Sequence, residues 1–232
     1  MSAADEIRVL ASIALKGVYL ELAPRFEEAG RCRLVTEWAG AAPVLKRILA
    51  GERADLVIAP AGLIDELIAS GKIARGGRID IARSGVGVAV PKGAPKPDLS
   101  SVEKLKRALL DAKSIAYSSG PSGVYLAGLF QRLGIADALG AKVMQTPPGT
   151  FVGELIARGE AEIGFQQMGE LLHVGEGIDV VGPLPPEIQN ITVFSGGVHA
   201  EARKPGPARE LLEFLAAPAA AAVIRSKGME PG

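Results

Sequence analysis

Ile7-Arg-Val-Leu-Ala-Ser-Ile-Ala-Leu-Lys-Gly-Val-Tyr-Leu-Glu-Leu-Ala-Pro-Arg-Phe-Glu-Glu28 decides the fold, because its apolar periodicity changes once along its length. Residues 7–11 are a short apolar run of strand length. From Leu15 onward the large apolar residues fall at Leu15, Tyr19, Leu22 and Phe26, the spacing that places them on one helix face. Pro24 removes a backbone donor inside that stretch, so a kink is expected there. The same strand-then-helix unit follows twice more. Residues 33–37 read as a strand and 44–49 as a helix, with Pro43 suited to its first turn. Residues 56–59 read as a strand and 63–70 as a helix closed by Gly71. Three such units in succession are the mark of a parallel sheet with helices on its faces.

A second set follows. Gly85-Val-Gly-Val-Ala-Val90 alternates as a long strand, and the turn-rich residues 91–97 end it. Helices are expected at 102–112, 124–133 and 151–158, and strands at 114–117, 141–145, 163–166 and 178–181. A further strand lies at 191–195, and the chain closes in helices at 207–215 and 218–227. The expected architecture is α/β and two-lobed, each lobe a mostly parallel sheet flanked by helices. Residues 1–84 plus 198–232 form one lobe and 85–197 the other. The strand-like residues 86–90 and 191–195 are the two hinge crossings, and a cleft is expected between the lobes. No residue repeat relates the two sets.

Composition narrows the function. Of 232 residues, 48% are hydrophobic and only 4% aromatic, so the cores are aliphatic. The 26 basic residues balance the 26 acidic ones. No net charge draws the chain to nucleic acid or to an anionic membrane, and a monomer is expected. The single cysteine, Cys32, excludes an internal disulfide and a multi-cysteine metal site. His173 and His199 have no ligand-spaced partner, so no metal is expected. A Walker loop, a G-x-S-x-G elbow and a G-x-G-x-x-G fingerprint are all missing, and no cofactor is expected. Met1-Ser-Ala-Ala-Asp-Glu-Ile7 has no basic n-region and no long apolar stretch, so neither a leader nor a membrane span is read there. The expected location is the periplasm if a leader was removed, and the cytoplasm otherwise.

In an open α/β sheet, ligands bind beyond the carboxyl ends of the strands, where helix starts offer free amides and partial positive charge. The residues after each strand are therefore the candidates. The first loop, Ala11-Ser12-Ile13, offers the Ser12 hydroxyl. The second carries Gly40, Ala41 and Ala42, whose small side chains leave their amides approachable. The third is Ala59-Pro60-Ala61-Gly62. In the second set, Ser118-Ser119-Gly-Pro-Ser122-Gly-Val-Tyr125 supplies three hydroxyls. Ser122 is placed to cap a helix whose first amides belong to Gly123, Val124 and Tyr125. Gln166 and Gln167 end a strand with two amides that can donate and accept. Arg83, near the first crossing, either pairs with a carboxylate ligand or ties to Glu37 or Asp80. No catalytic residue is assigned. His199 is the best general-base candidate, followed by Tyr117 and Tyr125, and Glu160, Glu162, Glu170 and Glu176 read as solvated acids.

Six stretches carry a resemblance that spans nearly the whole chain. They are Val9-Leu-Ala-Ser-Ile-Ala-Leu-Lys-Gly17, Ala54-Asp-Leu-Val-Ile58, Ala82-Arg-Ser-Gly-Val-Gly-Val-Ala-Val90, Ser119-Gly-Pro-Ser-Gly-Val-Tyr125, Gly159-Glu-Ala-Glu-Ile-Gly-Phe165 and Ser226-Lys-Gly-Met-Glu230. In order and spacing they resemble the type II periplasmic solute-binding proteins, in the molybdate-binding-like branch of ABC importers. The resemblance implies two lobes closing on an oxyanion held by serine hydroxyls and backbone amides, with an importer permease as partner. Ser12 matches the family's first-loop serine. Ala41 and Ala42 stand where molybdate binders have a second serine, and Gln166 or Gln167 stands near the usual tyrosine. Those departures turn the expected ligand from molybdate toward another small anion, oxyanion or carboxylate. Members of this branch also resemble aconitate isomerase, so an isomerase shifting a double bond in a small polycarboxylate is the alternative. A LysR-type effector domain shares the fold, but no helix-turn-helix fits before Ile7.

Overall fold

Residues 6–30 and 32–232 are described by the computed structural model of the chain. The reading made on residues 1–5 lies outside them. In chain order the elements are β1 (Glu6–Ser12), α1 (Lys16–Glu28), β2 (Arg33–Ala39), α2 (Ala41–Leu49), β3 (Leu56–Pro60), α3 (Ala61–Ala69), β4 (Ile79–Pro91) and α4 (Val102–Asp111). Then come β5 (Ile115–Tyr117), α5 (Pro121–Arg132), α6 (Ala136–Leu139), β6 (Val143–Gln145), α7 (Val152–Ala157), β7 (Ile163–Gln167), α8 (Met168–Val174) and β8 (Ile178–Pro183). The last are β9 (Ile191–Val198), α9 (Pro205–Ala216), α10 (Ala221–Ser226) and β10 (Glu230–Pro231). The chain divides into two compact units. Unit 1 is the chain up to Arg83 together with Thr192–Gly232, and unit 2 is Ser84–Ile191. The second boundary therefore falls before residues 192–197, which the sequence placed in the other lobe. The cause is β9, which pairs antiparallel with β3 from Pro60↔Phe194 to Leu56↔Val198.

Unit 1 is built on the strand order β2-β1-β3-β9-β4. β1 runs parallel to β2 and to β3. Alternation within β1 and β3 divides the core in two. Ile7, Val9, Ala11, Leu56 and Ile58 face Val18, Leu22 and Phe26 of α1 and Leu211, Leu212 and Leu215 of α9. Leu10, Val57 and Ala59 face Val44 and Ile48 of α2 and Ile64 and Leu67 of α3. Strands covered on both faces read as continuous apolar runs, which is why β3 shows no polar alternation and β1 shows it only at Glu6 and Arg8. Pro24 lies inside α1, which continues past it to Glu28. Leu20, whose carbonyl loses its helical donor, is half exposed, so water can take that bond.

Unit 2 repeats the plan with β6-β5-β7-β4, and β8 on the other edge of β4. β5 is parallel to β6 and β7, and β4 is antiparallel to β7 and β8. One face packs Ile115, Phe165 and Val88 on Leu105, Leu126, Leu129 and Phe130. The other packs Ala89 and Ala116 on Val152, Ile156 and Leu171. Three short elements escaped the sequence reading: α6, α8 and the two-residue β10. Each is too short to show a period. The expected terminal helix at 218–227 starts as a 3-10 turn, Pro218–Ala220, before α10.

Candidate functional site

The two units share one topology. In unit 1 the chain leaves β1 for β2 on one side and returns to β3 on the other. In unit 2 it leaves β5 for β6 and returns to β7. Each therefore has a switch point at the carboxyl ends of its first and third parallel strands, where neighbouring connections diverge and leave a crevice. Ser12 and Pro60 stand at the one in unit 1. Ser118 and Gln166 stand at the one in unit 2.

In unit 1, Ser12 precedes a 3-10 turn, Ile13–Leu15, and its side chain caps nothing. The residue is 3% exposed, and its hydroxyl has no partner among the described residues. Ile13 is buried in the turn behind it. Across β2, Ser12 pairs with Ala39, one residue before the Gly40 that precedes α2. The Gly40 carbonyl takes the Val44 amide at 3.0 Å. The amides of Ala41 and Ala42 lie ahead of that first bond, and Pro43 has none. Pro60 leads directly into α3, which opens with Ala61 and Gly62. Three chain segments thus bring a lone hydroxyl and small-residue helix starts to one end of the sheet.

Arg83 is exposed on β4, opposite Glu230 of β10. The two structural ties considered for it are taken by others. Glu37 is held by Arg47, with Arg8 at 3.6 Å. Asp80 accepts from Arg78 at 3.0 Å and from the Ser195 hydroxyl at 2.7 Å. Arg83 has no ion-pair partner among the described residues.

In unit 2 the serine loop differs from its expected form. α5 begins at Pro121, three residues early, because proline's fixed φ suits the first helical position. Ser122 is therefore not a cap. It lies in the first turn, fully buried, with its hydroxyl 2.9 Å from that of Ser118. Ser118 Oγ also accepts the Gly120 amide at 3.2 Å. The amides of Gly123 and Val124 turn back onto the Gly120 carbonyl at 3.0 and 3.1 Å, so they are not free donors. Tyr125 donates its hydroxyl to the Ile188 carbonyl at 2.7 Å, with the Arg132 guanidinium 5.1 Å above its ring. Val124 is 70% exposed and presents apolar surface beside the turn. Ser119, half-buried, keeps a hydroxyl without a protein partner.

The glutamines are also engaged within the protein. Gln166 Oε1 accepts the Val152 amide at 2.7 Å and so caps α7. Its other end bonds the Glu170 carboxylate. Gln167 forms a capping box with Glu170: its side chain accepts from the Glu170 amide, and its own amide donates to Glu170 Oε2 at 3.2 Å. Glu170, read from sequence as a solvated acid, is 7% exposed. Burial pushes its carboxyl up to about 7, against the lowering pull of those two donors. Gln167-Met-Gly-Glu170 carries the capping-box spacing, with glutamine in place of the usual serine or threonine, which is why it passed unread.

His199 is misplaced as a base for this site. It follows β9 at the amino end of β3, where its amide donates to the Asp55 carbonyl at 3.1 Å. Ser12 and Pro60 lie at the opposite strand ends. His199 Nδ1 accepts the Glu201 amide at 3.1 Å, and burial lowers its affinity for a proton. Tyr117 packs edge-on against Phe130, and His173 lies against Phe151. No group of three side chains suited to a metal ion occurs among the described residues.

The sequence profile of the bacterial extracellular solute-binding proteins matches residues 7–230. The chain is 39% identical over 231 residues to an aconitate isomerase of a Pseudomonas species, covering 97% of this chain and 87% of that one. It is 24% identical over 232 residues to the molybdate-binding protein of Escherichia coli K12, covering 97% and 90%. Among solved structures, the periplasmic molybdate-binding protein of Azotobacter vinelandii superposes with a TM-score of 0.80 at 20% identity, covering 96% and 98%. A substrate-binding domain of a putative molybdenum ABC transporter from Clostridium difficile superposes at 0.72 and 16% identity, covering 98% and 99%. These structures share the type II periplasmic-binding-protein fold with this chain.

Proposed function

We propose, because the chain belongs to the bacterial extracellular solute-binding proteins, that it binds one small anion through neutral donors. The observation that carries this reading is Ser12, nearly buried at the switch point of unit 1 with a hydroxyl that has no partner among the described residues. Beside it stand the Ala41 and Ala42 amides. Helix starts of this kind compensate negative charge without a lysine cluster. Unit 2 carries its own neutral donors at the matching place, the Ser119 hydroxyl and the Ser118–Ser122 pair. An organic carboxylate is preferred over a tetrahedral oxyanion. The identity to an aconitate isomerase exceeds that to a molybdate binder, 39% against 24%. Arg83, an exposed cation with no ion-pair partner among the described residues, offers the planar fork that a carboxylate matches. The family description supports a location outside the inner membrane. An importer permease is the partner to which such a receptor would deliver its ligand. No helix of the described residues is long and apolar enough to cross a membrane.

A thermal-shift screen of oxyanions and di- and tricarboxylates tests the reading. A true ligand at about 100 times its Kd adds about 2.7 kcal/mol of stability. Ser12→Ala is expected to weaken that ligand roughly 10- to 100-fold by titration calorimetry, the worth of one hydrogen bond to a charged group. Unchanged affinity removes Ser12 from the site.

The 39% likeness to aconitate isomerase favours a second reading, turnover of a small unsaturated polycarboxylate. Shifting a double bond requires a base within about 2.6–3.2 Å of the proton it takes, or one water away. His199 lies at the wrong end of its sheet for that task, and Glu170 is enclosed by its own amide partners. Binding without turnover is therefore the primary reading. Incubation with trans-aconitate in deuterated water, followed by NMR, decides between them. Enzyme-dependent deuterium uptake or cis product establishes the isomerase.

A further inference from the structure

We propose that anion binding at the carboxyl end of β7 is coupled to uptake of one proton by Glu170, because ligand and carboxylate compete for the same amide donors. The inference rests on the anion-binding reading above. Tyr117 pairs with Phe165 across β5 and β7, so Ser118 and Gln166 follow side by side at the switch point of unit 2. Besides the serine hydroxyls, the donors there that could turn to an anion are the Gln166 side chain and the Gln167 amide. Both are already held by an anion, the Glu170 carboxylate. A ligand that draws either of them leaves Glu170 buried and short of a donor. A charged carboxyl in that position is strongly disfavoured, whereas a neutral one is tolerated. The carboxyl therefore takes a proton from solvent as the ligand arrives, and total negative charge at the turn rises by less than the ligand brings.

The surroundings leave Glu170 as the group that responds. α8 packs against α7, β7 and β8. β7 carries no titratable side chain. Glu154 on α7 is exposed, and Asp179 on β8 is paired with Lys92 at 2.9 Å and Lys96 at 3.8 Å. On α8 itself the other titratable residue is His173, whose ring lies 5.3 Å from that of Phe151. β4 approaches α8 through Gly87, against Met168 and Leu171, and its Ser84–Pro91 portion bears no charge. Among the described residues no lysine or arginine neutralises Glu170, and burial is the cause that raises its affinity for a proton, to a midpoint of about 7. The group is thus poised to change state near neutral pH, and it reports on the donors that surround it.

The test is titration calorimetry of the full chain with trans-aconitate and with molybdate, each at pH 7 in two buffers of different ionisation heat. Both probes are essentially fully ionised from pH 7 to 8, the window in which the protons are counted. The expected result is uptake of a substantial fraction of one proton per anion bound. Affinity should also tighten by up to about tenfold for each unit the pH falls above neutrality. Glu170→Gln keeps the shape and an acceptor for the Gln167 amide but cannot ionise. It should bind with no proton uptake and with pH-independent affinity. The wild-type proton count needs no variant, so the proposal stays testable if Glu170→Gln does not fold. Binding without proton uptake overturns this inference and leaves the anion-binding reading standing. Uptake that persists in a folded Glu170→Gln variant also overturns it. Absence of binding by either probe, together with a blank thermal-shift screen, removes both.

Discussion

Single residues in this chain are decided by what lies within one bond length of them. Gly123 is the sharpest case. A Cβ built there would sit 1.5 Å from the Ser118 carbonyl oxygen, far inside contact distance. The obstacle is backbone, not a flexible side chain, so nothing can move aside cheaply. Gly123→Ala must push α5 away from the end of β5 and break the Ser118–Ser122 hydroxyl pair with it. We expect a loss of about 3 kcal/mol or more, the cost of overpacking a close backbone approach. Urea denaturation of the variant checks this. A loss below about 1 kcal/mol would mean that the loop adjusts freely. Glu170 makes the complementary point. The letters Gln167-Met-Gly-Glu170 contain a capping box, but nothing local says that its acid will be buried.

At the level of elements, the starts of α7 and α9 are held by side chains from distant parts of the chain. Asp55, 3% exposed just before β3, is the clearest instance. Its Oδ1 accepts the amides of Arg203 and Lys204 at 2.6 and 3.0 Å, at the start of α9, and its Oδ2 accepts the Arg8 amide at 2.9 Å. One carboxylate thus caps α9 from outside and pins it to β1. Removing it leaves three amides without a charged acceptor. Asp55→Ala is expected to cost about 3–5 kcal/mol. Asp55→Asn should recover part, since its carbonyl can still accept. Chemical denaturation of both variants decides the matter, and equal losses would argue against an acceptor role. Gln166 does the same for α7 through the Val152 amide. These tethers join residues far apart in sequence, so no window of the chain displays them.

For the whole molecule, each unit has its own core on both faces of its own sheet. Unit 2 is moreover continuous in sequence, whereas unit 1 closes only when the C-terminal helices return. Residues 84–191 expressed alone are therefore expected to fold, with a cooperative thermal transition by circular dichroism and native-like helix content. A broad, non-cooperative melt would show that burial of its own cores does not suffice and that β4 must be anchored in unit 1.

The amino-acid sequence by itself determined the longer elements and their order. The step from two-residue to three-to-four-residue spacing between Ala11 and Leu15 is a property of the backbone's own repeat, and it survives in any context. Three strand-then-helix units in succession then imply the α/β architecture. Ser12, Ala41 and Ala42 were legible as candidates because position after a strand is local information. Only the tertiary structure decided which polar groups already hold a partner within the protein. Ser122, Gln166 and Tyr125 look available in sequence, yet each is bonded to a group brought beside it by folding. Glu170 looks solvated and is buried, and His199 looks central and stands at the wrong end of its sheet. A hydrogen-bond partner or a burial depth depends on elements tens of residues away. Periodicity records which face a side chain takes, but not what the fold sets against it.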